Sequence, residues 1–309
     1  MLLSRKEMSH NFGGARLDPH RDRDLLVWTF SQFLYGEVTG IHVGRWIERA
    51  PDLEAATFFA RLASEEFLHV RVFLEILATL EAQPLPPHRL IRFVASDLAG
   101  RSFEEHVAIE MAQGHGLVLS AIYALADTVD QPRIHELLEQ TAAREEQHVA
   151  FGEERTLRVI EGRPRLARHL LGLALVGITV VSRLARPLEA FACAGPFPDR
   201  GTGLLRGRWR SPFKEVPVRG SSAADHAMLS QLESFHRTAL AAAELRLRRL
   251  GLLDRRLAEI PMTGKLRLMA ASLARSTASA PFRRARRLTR TYLEDPVVRE
   301  ALLGRETPP

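Results

Sequence analysis

The chain has 309 residues, 46% hydrophobic and 26% charged, the balance of a globular protein with a sizeable core rather than a disordered one. Its single cysteine, Cys193, excludes an internal disulfide framework and any Cys-x-x-Cys metal knuckle. The uncharged apolar run from Leu170 to Ser182 falls short of the ~20 residues that cross a bilayer, and the first residues lack the pattern of a secretory signal, so a cytoplasmic location is expected. Residues 1–160 carry 16 basic against 24 acidic side chains, net −8, and residues 161–309 carry 27 against 13, net +14. A basic half can meet nucleic acid, lipid or an acidic protein, but no nucleic-acid fold signature accompanies it and nucleic acid is not expected as a partner.

Helical periodicity dominates the chain and β-branched alternation is scarce, so the fold is read as all-α. The first helix is expected from about Asp22 to Arg49, ending at Ala50-Pro51-Asp52. Asp52 is placed to cap a second helix over about Leu53 to Ala82. Gln83-Pro84-Leu85-Pro86-Pro87 breaks the pattern. Ser102 and Glu105 read as a capping box for a third helix, which should end near Leu125. Pro132 opens a fourth, running to about Glu161, and an apolar fifth covers about Leu166 to Ala194.

Residues 195–222, rich in Gly, Pro and Arg, read as a linker. A helix over Ala223 to Leu250 and shorter ones follow, so that 1–194 forms the main bundle and 223–309 a basic helical extension. Tight turns make helices one and two, and three and four, antiparallel pairs. The connection over 83–101, ~60 Å if extended, is long enough to run back along a ~45 Å helix and leave helices two and three parallel.

Two Glu-x-x-His pairs, Glu66/His69 and Glu145/His148, sit inside long helices. An i, i+3 step keeps both side chains on one face, where they can grip one metal ion. With 26 Glu and 12 His, about one such pair is expected by chance, and the chain has four. Glu7/His10, near a Gly-Gly break, and Glu233/His236, on a charged helix, are read as accidental.

The other two stand out because each follows a lone acid. Glu37 is the only charged residue from Leu25 to Gly44, and Glu110 the only one from His106 to Ala126 apart from histidines. A carboxylate in so apolar a helix is expected to be buried, at a cost of several kcal/mol unless a cation meets it. Counting ~1.5 Å per residue from each turn, Glu37 and Glu66 lie at matching heights, as do Glu110 and Glu145 provided the third helix stops before Gln131.

Four Glu and two His facing inward from four helices resemble the two-metal carboxylate site of ferritin-like bundles. The run Glu145-Glu146-Gln147-His148-Val149-Ala150-Phe151-Gly152 is similar to the last ligand helix of the ribonucleotide-reductase-small-subunit-like oxidases and oxygenases. The resemblance covers about residues 20–165. It implies a ferritin-like four-helix bundle with one long crossover, and Glu37, Glu66, His69, Glu110, Glu145 and His148 as metal ligands, with Glu66 and Glu145 bridging. It also implies two iron ions (or manganese), dioxygen as co-substrate, a small organic substrate and an external electron donor such as a ferredoxin or reductase.

Other readings stay open: a ferroxidase or iron-handling protein, a dimanganese catalase-like enzyme, or a tRNA-base hydroxylase. An acidic carrier protein is a further open partner, and a homodimer is allowed.

Several positions depart from the family. Glu65 occupies the place of an acid that orients the opposite histidine, but its counterpart is Arg144. Phe73 stands where a reductase subunit carries its radical tyrosine, and Thr141 where arylamine N-oxygenases carry an extra histidine. His106 is read as a satisfied histidine at a helix start rather than an extra ligand. His42 and His115 are read as structural, being one residue off the ligand face, and Tyr35 and Tyr123 as core. Gly40, Gly44 and Gly114 either leave room beside the metals or serve close helix packing. Arg283-Arg284-Ala285-Arg286-Arg287 reads as a charged surface helix.

Overall fold

The computed structural model describes residues 1–87, 91, 100–192, 223–254, 259–276, 295 and 300; for 180, 182–192, 223–230 and 233 only the backbone is described. Among the described residues every regular element is helical, apart from one isolated bridge between Leu17 and Val129. The segments 195–222 and 283–287, on which a linker and a surface helix were expected, lie outside the described residues, as does most of the connection over 83–101.

The first hairpin joins α2, Arg23–Gly40, through a 3-10 stretch at Ile41–Trp46, to α3, Leu53–Thr79. The first helix is thus shorter than expected as an α-helix, because it tightens after Gly40. Asp52 caps α3 by accepting from the Ala55 N–H at 2.8 Å.

The second hairpin opens at α4, Phe103–Glu105, with Ser102 accepting from the Glu105 N–H. The capping box is only half formed: the Glu105 carboxylate accepts instead from the Arg101 N–H and bonds His169 and Ser276. The chain then runs as a π-helix over His106–His115 and returns to α-helix in α5, Gly116–Thr128. The break before α6, Pro132–Ile160, is real. Leu17 donates its N–H to the Thr128 carbonyl and accepts from the Asp130 N–H, so the first residues hold the turn open. Gln131, not anticipated as a cap, accepts from the Ile134 N–H.

The two hairpins pack on each other along α3 and α6. Within the second hairpin, Gly152 lets α6 approach the π-helix closely: a Cβ there would lie 2.6 Å from the Ala112 nitrogen. Arg155, buried on α6, pairs with Asp52 and Glu54 at the start of α3 and ties the hairpins at that end.

Two apolar clusters fill the interior between the hairpins. One includes Leu34, Val38, Val70, Phe73, Leu119, Ala142 and Val149; the other includes Val43, Phe59, Leu62, Val107, Met111 and Phe151.

Among the described side chains of α7, Pro164–Ala192, the apolar face over residues 166–178 is covered by other helices. Leu170, Leu171 and Leu173 pack with Leu247, Leu250 and Leu252 from the end of α8, Ala223–Arg249, and the turn after it. α9, Met262–Arg275, packs along α7, with Ser272 filling the space left by Gly172. No helix among the described residues is long and apolar enough to cross a membrane.

The segment before Asp22, which precedes the first expected helix, is built into the core. It forms the short helix α1, Arg5–Met8, and buries Leu3, Met8, Phe12 and Leu17. Here a fully buried Arg246 of α8 donates to Glu153 at 2.9 Å, and Glu153 also accepts from the Leu2 N–H at 2.5 Å. Gly116 leaves the room that the Arg246 guanidinium occupies. Arg249 reaches the Leu2 carbonyl and Glu7.

Candidate metal centre

The six residues singled out by pattern lie where the two apolar clusters meet. Glu37 falls between Leu34 and Val43, Glu66 between Leu62 and Val70, Glu110 between Val107 and Leu119, and Glu145 between Ala142 and Phe151. Each helix therefore changes cluster near its carboxylate, although Val38 and Val149 still belong to the first cluster and Met111 to the second.

Five of the six converge. Glu37, Glu66, His69 and Glu145 form one group whose donor atoms lie within 4.8 Å of one another, and Glu66, His115, Glu145 and His148 form a second. Glu66 and Glu145 belong to both. Glu66, His69, Glu145 and His148 are at most 1% exposed, and Glu37 5%. His69 Nδ1 lies 3.1 Å from Glu37 and 3.2 Å from Glu145, and His115 Nδ1 lies 2.7 Å from Glu145. Gly40 supplies room here too: a Cβ would sit 2.3 Å from the Glu66 carboxylate. Gly44 and Gly114 make no comparably close approach.

Glu110 stands apart. Its carboxylate bonds His106 Nδ1 at 2.7 Å and faces His42 Nε2 at 3.7 Å, and it belongs to neither group. His106 is buried and stacked on Trp46. His115, read from the sequence as structural, takes the inward place. At ~100° per residue an α-helix would put His115 about 140° round from Glu110. The i→i+5 bonding of the π-helix widens the turn and brings positions five apart toward one side. The signal was the spacing Glu110-x4-His115, which has meaning only once the helix type is known.

Glu7/His10 belongs to no such group among the described residues, and the Glu233 side chain of the other pair lies outside them. Glu7 bonds Ser4 and Arg249, while His10 packs on Phe12 and Phe235. Tyr35 and Tyr123 are both buried, and the Tyr123 hydroxyl donates to Glu146.

The electrostatics show what so many buried acids do to one another. Burial, with Glu37 and Glu145 beside it, pushes the Glu66 carboxyl well above the usual range. Burial also opposes ionisation of Glu145, but the imidazoles of His115 and His148 outweigh it and hold that carboxyl well below the usual range. Burial disfavours a charged His69, yet Glu145 and Glu37 carry it up to about 10. His115 rises to about 8 against its own burial, through Glu145. Burial likewise opposes ionisation of Glu110, but His106 and His42 lower it.

These groups fit a pair of cations. Oxygen and imidazole donors suit first-row divalent metals such as iron and manganese, and two shared carboxylates are what adjacent ions need. His148 Nδ1, 3.4 Å from Glu145, is buried without a hydrogen bond among the described residues. His148 Nε2 is held by Glu65 at 2.7 Å, leaving Nδ1 directed at the centre.

Comparison of the chain with family models, with curated proteins and with solved structures gave no match.

Proposed function

We propose that this chain is a ferritin-like, non-haem two-iron oxidoreductase that uses dioxygen to oxidise a small organic substrate. The observation that carries the reading is the pair of overlapping buried donor groups sharing Glu66 and Glu145. Four carboxylates near one level of an apolar interior are costly without cations to offset them, and the centre lies between two apolar clusters rather than on the surface.

In this reading Glu37 and His69 would hold one ion and His115 and His148 the other, with Glu66 and Glu145 available to both. Glu65 fixes the His148 ring. Phe59, Leu62, Met111 and Phe151 keep water from one side and Leu34, Val38 and Val70 from the other. An iron pair, when bound, supplies dioxygen activation. Glu110 is the most open of the four acids, with 17% of its side chain exposed. The electrons come from a separate donor, a ferredoxin or reductase.

The test is anaerobic loading of chelator-treated protein with Fe(II). Two iron per chain and oxygen uptake coupled to an organic product in the presence of a reductant support the reading. Iron oxidised into a mineral core identifies an iron-handling protein instead. Peroxide disproportionation by a manganese-loaded form without reductant identifies a catalase-like enzyme.

A further inference from the structure

Resting on the reading that the centre takes two cations, we propose that its halves load unequally. The half built on His115 and His148 binds first and more tightly than the half built on Glu37 and His69. The two halves share Glu66 and Glu145, so the difference lies in what each adds. One adds two imidazoles, the other a carboxylate and one imidazole. Nitrogen donors favour cobalt, iron and zinc over the harder ions that carboxylates prefer.

The histidines also differ in what stands behind them. His148 Nε2 lies 2.7 Å from Glu65 Oε2, so its ring is fixed and Nδ1, with no hydrogen bond to give up, is available at once. His69 has no such support. Its Nδ1 is already engaged by Glu37 and Glu145, and its Nε2 is buried without a hydrogen-bond partner among the described residues.

The sequence gives the reason. Glu65 immediately precedes Glu66 on α3 and reaches across to the histidine of α6. The residue immediately preceding Glu145 on α6 is Arg144, whose guanidinium donates to the Gln140 carbonyl of its own helix. A ligating histidine ordinarily directs its second nitrogen to an acceptor, and losing that acceptor costs roughly 10–100-fold in metal affinity. His69 has only Arg144 at the corresponding position. One contact runs the other way: an ion entering the His115 half displaces the 2.7 Å His115–Glu145 pair. The His69 half has two such contacts to break.

The experiment titrates the full-length, chelator-treated protein with Co(II), following heat and the visible Co(II) bands. The expected result is two separable steps, the first at least about tenfold tighter than the second. Glu65→Gln weakens the first step by about 10–100-fold and leaves the second nearly unchanged. Arg144→Glu, at a half-buried position, tightens the second step toward the first. With Mn(II), which favours carboxylates, the gap between steps narrows.

Two equal steps, or a Glu65→Gln variant weakened in the second step or in both alike, overturn the inference while leaving the two-cation centre standing. Protein that binds no Co(II) overturns both. Should Glu65→Gln not fold, judged by helical circular dichroism, the wild-type step separation and Arg144→Glu decide alone, and an Arg144→Glu variant with an unchanged second step counts against the inference.

Discussion

The two hairpins carry the same sequence pattern, a lone glutamate followed by Glu-x-x-His, yet they use it differently. In the first, α2 and α3 are regular around the centre, and Glu37 joins His69 and Glu66 as the spacing implies. In the second, the π-helix turns Glu110 onto His106 and His42 and brings in His115. A repeated motif is therefore not a repeated site. The helix type beneath it decides which side chain faces inward, and a π-helix changes that by a fraction of a turn.

The largest effect expected from this difference is on metal retention. Glu37→Gln should cost more than the roughly 10–100-fold associated with losing a partner behind a ligand, whereas Glu110→Gln should alter Co(II) affinity by only a few fold. Equal losses in the two variants, measured by equilibrium dialysis, would show the hairpins to be equivalent after all. His115→Ala should cost at least about 10–100-fold in the tighter step; an unchanged affinity would return His115 to a packing role.

Smaller, and read as stability, is the contrast between two glycines of the first hairpin. Gly40→Ala drives a methyl into the Glu66 carboxylate and should destabilise by about 1–3 kcal/mol, as overpacking does, with loss of bound metal. Gly44 has open space beside it, so Gly44→Ala should be neutral or stabilise by about 0.4–1 kcal/mol. Thermal melts of both variants check the pair.

The smallest effect is on pH. In chelator-treated protein, His115 and His69 are raised to about 8 and about 10, above an unfolded value of about 6.5. Their contribution to stability is complete below about pH 6.5 and is lost as pH rises through about 8 and then about 10. Glu66, also raised, acts in the same direction. The melting temperature of the metal-free protein should fall by a few degrees between about pH 6 and about pH 9. Saturating Co(II) should reduce that fall, because a bound cation takes the place of the protons.

Much of this arrangement is legible in the sequence. Asp52, Pro132 and Gly162-Arg163-Pro164 mark helix ends by local chemistry alone, and the structure places helix boundaries beside each. The isolation of Glu37 in an apolar stretch points to burial, and it is buried. What escapes the sequence is what depends on distant partners. The π-helix at 106–115 has no local signature; it is seated against Gly152, a residue 40 positions away on α6, and its register decides between Glu110 and His115. The packing of the first seventeen residues is equally silent, because Leu3, Met8 and Leu17 show no periodicity until α8 and the turn at Val129 give them surfaces to meet.

That early segment has a consequence for how the protein is made. Glu153 is buried between the Leu2 N–H and Arg246, so its charge has no cationic partner until a residue 93 positions later leaves the ribosome. At roughly 5–20 residues per second, this is a wait of about 5–20 s, during which Leu3, Met8 and the apolar face of α7 lack their cover. A nascent chain stalled before residue 246 should thus bind holdase chaperones, and release from them should track translation of α8 rather than completion of the two hairpins.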